Sequence, residues 1–131
     1  ADVLLMYAEA CNELGETREA LDKLEMVRAR ARRTVHPADM TVGLPEITET
    51  GKEKLREIIW NERRIELALE GHRFFDLIRA DKVVPGYAEK MMKAHGKTNF
   101  SIAKHATFFI PQKQVDISQG VLKISSPGPF S

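Results

Sequence analysis

Glu62, Glu66 and Glu70 stand one helical turn apart in the stretch NERRIELALEGHRFFDLIR, residues 61–79. Two carboxylates at that spacing can do general acid–base work or hold a metal. On a helical wheel of about 100° per residue starting at Leu55, Ile58, Ile59, Ile65 and Leu69 form one apolar stripe. Glu62 and Glu66 fall in its middle, and Trp60 and Leu67 form a second apolar edge. A carboxylate entering a core needs a partner, because an unpaired buried charge is costly. Cations are close at hand. Arg63 and Arg73 flank the stripe, Arg28 lies toward the end of a preceding helical segment, and Asp76 follows on the next one. The expectation is an ion-pair network of Glu62, Arg63, Glu66, Glu70, Arg73, Asp76 and Arg28 that locks helices in register.

Other chemistry finds less support. A helical di-iron site repeats Glu-x-x-His, and here Leu69 and Arg73 stand three residues after Glu66 and Glu70. His36, His72, His95 and His105 have no metal-ligand spacing, and Cys11 has no companion thiol. Cys11 sits on an apolar helix face and reads as a core residue. No nucleophile elbow, phosphate loop or dinucleotide fingerprint occurs. Neither a metal nor a cofactor is expected. Arg28, Arg30, Arg32 and Arg33 could touch nucleic acid, but they close a helix, where cations complement the dipole, and no aromatic lies beside them. Phe74-Phe75 and Phe108-Phe109 read as core.

These residues need helices to hold them. Residues 2–14 have Leu4, Tyr7, Ala8, Cys11 and Leu14 on one face, with Glu9, Asn12 and Glu13 turned away from it, and Gly15 stops the helix. A second helix runs from about Thr17 to Arg32 on Ala20, Leu24, Val27 and Ala31. The short connection makes the two an antiparallel hairpin at 1–32, with a glycine turn and small-then-bulky contacts similar to a tetratricopeptide unit. Pro37, Gly43 and Pro45 punctuate a loop over 33–51. A helical segment at 52–95 carries the glutamates, with its first helix reaching about Glu70 and shorter ones after Gly71 and Pro85-Gly86. Residues 96–131 lose helical period and read as an extended arm, with ATFFIP as an isolated strand or extended piece.

With 131 residues, 43% hydrophobic and 30% charged, the chain is a globular domain and not a disordered tail. A net charge of +1 gives no global field to recruit nucleic acid or an anionic membrane. No apolar run approaches the ~18 residues needed to span a bilayer. The opening ADVLLMYAEA begins inside an amphipathic pattern, so the chain is expected to be a piece of a longer protein.

In order, ADVLLMYAEACNELG, EALDKLEMVRARA, LREIIWNERRIELALEGHRFFDLIR, FFIPQKQVDIS and a final PG resemble the C-terminal part of SusD/RagB-type outer-membrane nutrient-binding lipoproteins. The block ERRIELALEGHRFFDL is the most specific piece. Glu62, Arg63, Glu66, Leu67, Glu70, Gly71, Arg73, Phe75, Asp76 and Leu77 all match the family's pattern. The sequence departs from it at Phe109, where the family has proline, and at ISSPGPF, where the family is similar to Gln-Asn-Pro-Gly-Tyr. The resemblance implies an all-α fold, with tetratricopeptide-like helical hairpins in an α-solenoid scaffold, irregular loops and an extended C-terminal arm. It implies a cell-surface lipoprotein of the outer membrane that binds a glycan or other nutrient and partners a SusC-like TonB-dependent transporter. The lipid anchor would lie outside this chain. It implies no enzyme, no cofactor and no nucleic-acid partner, with this segment mainly scaffold, and no ligand-binding residue carries over. A helical-repeat protein-interaction adaptor and a carboxylate-dependent hydrolase are the competing readings.

Overall fold

In a computed structural model of the chain, the residues described are 1–35, 38, 43–107 and 110–123. The described residues form seven helices and no strand: α1 Asp2–Leu14, α2 Thr17–Val35, α3 Lys52–Glu66, α4 Arg73–Val83, α5 Tyr87–Ala94, α6 Ile102–His105 and α7 Gln112–Ile117. The fold is all-α. The chain divides into two compact units, Ala1–Arg73 and Phe74–Ser131.

The first unit holds the main core. α1 ends at Gly15, whose φ of 85° suits glycine, and the turn closes with Gly15 N–H on Asn12 O and Glu16 N–H on Cys11 O. Both bonds satisfy carbonyls that the helix end would leave open. α2 then packs back along α1. Leu5, Ala8 and Cys11 of α1, Ala20, Leu24 and Val27 of α2, and Leu55 and Ile59 of α3 make one buried cluster, with Ile47 from the loop packed against it. Of the stripe expected on α2, Ala20, Leu24 and Val27 are buried and Ala31 is half-buried.

On α1 the buried face differs from the expected one. Tyr7 and Leu14 are exposed, while Glu9 and Asn12 are buried. α1 has two covered sides, because α3 packs on it as well as α2. A single-stripe reading finds only the side that faces the hairpin partner.

α3 is shorter than its wheel suggests. It unwinds after Glu66 into turns, with Leu69 at a φ of 69°. Leu55, Ile59 and Trp60 are buried, but Ile65 and Leu69 are exposed. Ile65 lies beyond Arg63, which is the residue of α3 level with Asp2 at the start of α1. The stripe thus ends level with the start of α1, and a wheel extended past Glu66 no longer follows the backbone.

In the second unit, Leu77, Ala80, Tyr87 and Ala88 are buried. Asp81 caps the turn into α5 by accepting Ala88 N–H at 2.9 Å. The Phe74-Phe75 pair meets edge to face at 5.8 Å, yet Phe75 is exposed, so only Phe74 approaches the expected core role. The region read as an extended arm contains two short helices, α6 and α7, the latter starting after Pro111 with its N-cap geometry. Short polar helices lack a repeating apolar stripe, so periodicity passes over them. Phe108, Phe109 and the residues from 124 onward lie outside the described residues, as does His36.

Candidate functional site

Glu62 is buried and faces Arg28. Arg28 Nη1 donates to Glu62 Oε2 at 2.6 Å, and each side chain is only 8% exposed. Arg28 Nη2 also donates to Pro45 O at 2.9 Å. Arg32, likewise buried, pairs with Glu25 and donates to Leu44 O at 2.6 Å. Two arginines of α2 therefore seize the backbone where the long loop returns. Arg30, on the exposed side, pairs with Glu66. Arg28, Arg30 and Arg32 of the basic run are thus engaged within the chain.

The remaining residues of the expected network are placed as follows. Arg63 is buried and donates to Asp2 Oδ1 at 2.7 Å. Asp76 accepts from Arg79 at 3.3 Å within α4. Glu70 is exposed in the turn after α3, and Arg73 opens α4, half-buried. Glu62 and Glu66 are each held by a different arginine of α2. They are not free carboxylates facing one another across a cleft, as a general acid and base would be. Among the described residues, no group of three His, Cys, Asp or Glu side chains is placed to hold a metal. None of the described helices is long and apolar enough to cross a membrane.

Sequence reasoning missed a second set of polar contacts, between α1 and α3. Asp2 meets Arg63, Glu9 Oε1 accepts from Trp60 Nε1 at 2.9 Å, and Asn12 Nδ2 donates to Lys52 O at 3.0 Å. Glu13 takes Arg56 in a bidentate pair at 2.5 and 2.8 Å. Rising numbers on α1 meet falling numbers on α3, so the two helices run antiparallel. Arg56 holds the Glu13 carboxyl below the usual carboxylate range, and Glu13 in turn holds the Arg56 guanidinium up. The signal was present in the sequence. Lys52, Arg56, Trp60 and Arg63 form one row at helical spacing, opposite an acidic row of Asp2, Glu9 and Glu13. Cys11 is buried against this core, and burial pushes its thiol up, with Glu16 accepting at 3.5 Å. That suits an inert core thiol and not a nucleophile.

The second unit contains a small pocket of about 310 Å³ on the loop after α5. Phe100 and His105 stack there with centroids 5.3 Å apart and planes 20° from parallel.

Comparison with known proteins agrees with the motif block. The sequence pattern of the SusD family matches residues 1–123. SusD-like protein P38 of Formosa agariphila is 39% identical over 85 residues, which is 64% of this chain and 16% of that protein. SusD-like proteins P2 and P25 of the same organism are 40% and 42% identical over 83 and 79 residues, 60% of this chain in each case and 15% and 14% of those proteins. The chain therefore spans about a sixth of the length of the curated relatives it matches. No solved structure matches it.

Proposed function

The chain belongs to the SusD family, and from that membership we propose that it is the C-terminal, mainly scaffolding portion of a surface glycan-binding lipoprotein. The protein would serve a SusC-like TonB-dependent transporter at the outer membrane and would bind its glycan without cutting it. The helical hairpin at 1–32 would be one tetratricopeptide-like unit of its scaffold.

One observation carries the scaffold role: in the family's signature block Glu62 makes a buried pair with Arg28 of α2, and the buried Arg63 pairs with the half-exposed Asp2 of α1. A block spent on holding three helices together marks architecture. The full-length protein, screened against a glycan array and assayed for product release, tests the reading. Retention of an oligosaccharide without hydrolysis, and co-purification with a TonB-dependent transporter, is the expected result. No glycan retained would sink the binding role. Hydrolysis lost in Glu66→Gln at an unchanged melting temperature would restore the carboxylate-enzyme reading.

A further inference from the structure

The pocket of the second unit is built by backbone geometry, not by chance side-chain placement. α5 ends with Gly96 at a φ of 79°, and the turn closes through Lys97 N–H on Met92 O at 2.9 Å and Gly96 N–H on Lys93 O at 3.0 Å. That double closure is a Schellman motif. Phe100 N–H then returns to Lys97 O at 3.2 Å. At the far end Glu89 reaches across from α5 and accepts Ile102 N–H at 3.1 Å, which lowers the Glu89 carboxyl below its usual range. The loop 96–101 is therefore fixed at both ends before any ligand arrives, and a pre-formed site loses less ordering entropy on binding.

The walls of this pocket are chemically divided. Phe100, His105 and Met92 are half-buried, and the two rings stack. Lys97, Thr98 and Asn99 are exposed around them. An aromatic face is electron-rich and takes the polarised C–H side of a saturated ring. The amide, hydroxyl and ammonium groups can meet hydroxyls and negative charge. A volume of about 310 Å³ is near the lower bound for ligand pockets, about 300–1,000 Å³, and suits one ring of a longer chain.

The surrounding charge selects among rings. Lys90, Lys93, Lys97, Lys104 and Lys113 occur between residues 90 and 115, where there is no Asp or Glu. Lys93 lies 3.7 Å from Glu89, the nearest acid before the segment. Of these lysines, Lys97 lines the pocket, and no carboxylate among the described residues does; its ammonium there favours an anionic group on the ligand.

We propose that the pocket formed by Lys97, Asn99, Phe100 and His105 is a subsite for one acidic sugar residue, carboxylated or sulfated, of a bound glycan. The proposal rests on the glycan-binding reading above and adds a place and a charge to it.

Calorimetric titration of the full-length protein with oligogalacturonate, a sulfated galactan oligosaccharide and a neutral β-glucan oligosaccharide tests it. An acidic probe should bind and the neutral one should not, with affinity falling as salt rises from about 50 to 200 mM. Whichever acidic probe binds identifies the anion as carboxylate or sulfate. Lys97→Ala and Phe100→Ala should each weaken binding at least about tenfold at an unchanged melting temperature, while Lys97→Arg should retain it. If the acidic probe binds equally well to both alanine variants, the subsite is wrong although glycan binding stands. The acidic preference is overturned if the neutral probe alone binds. If no glycan binds the protein at all, the family-based reading fails and the subsite with it.

Discussion

Arg28 and Glu62 each lie almost wholly out of water, and their attraction has to offset two desolvation penalties. The intact pair therefore adds little net stability, but removing one member leaves a buried charge alone. Glu62→Ala should cost about 3–5 kcal/mol in urea titration, whereas the double change Arg28→Met with Glu62→Leu should come out near neutral or stabilising. A loss of the same size from both would show that the pair itself stabilises the fold. The Glu13–Arg56 pair behaves differently, because Glu13 is 36% exposed and solvent screens it, which limits its worth to well under about 1 kcal/mol. Its folded-state carboxyl is held below the ordinary range, so its contribution is present above that range and fades as pH falls through the lowered value. Arg56→Gln should move the Glu13 titration, followed by carboxyl NMR, back up toward the ordinary carboxylate range, with Lys52 still holding part of the lowering. An unmoved midpoint would mean that Arg56 is not what holds it down.

Among the elements, the α1–α2 hairpin depends on how α1 stops. Gly15 has nothing within 4 Å of where a Cβ would stand, so a substitution there meets backbone strain alone. Gly15→Ala should cost about 1–2 kcal/mol, the penalty for an L-residue in the left-handed region, and leave the core contacts intact. The helices α1 to α5 were legible because glycines and prolines punctuate them, and the α2 stripe was legible because one partner covers one face. The α1–α3 seam was not read, because a polar residue on a helix looks like a solvent residue until its partner is known. Glu9 and Trp60 illustrate this: the carboxylate looks exposed in isolation and is buried against an indole 51 positions away. Glu62 and Glu66 were visible as anomalies on the wheel. That α2 supplies a separate arginine to each was not visible, since the long loop hides the register of α2 against α3. The pocket at 96–100 was missed altogether, because its signal is a helix terminus and a run of lysines, and neither has a period.

For the whole chain, the two units differ in how much apolar surface they remove from water. The first buries Leu5, Leu24, Leu55 and Ile59 completely, while the buried apolar residues described in the second are Leu77, Ala80, Tyr87 and Ala88. Opening free energy follows buried contact, so native-state hydrogen exchange should be slowest at the amides of Leu5, Leu24 and Ile59. The helices α4 and α5 should exchange faster, by a clear margin at neutral pH. Equal protection throughout would mean that the chain opens as one cooperative body.

The grip of Arg28 and Arg32 on Pro45 and Leu44 has one more consequence. α2 ends at Val35, and Arg28 and Arg32 hold the chain again at Pro45 and Leu44. The entropy of closing the segment between grows only with the logarithm of its length, about 0.6 kcal/mol for each doubling. With the chain fixed on α2 at Leu44 and Pro45, lengthening the segment before them adds little closure entropy and leaves the anchoring of the buried helices where it is.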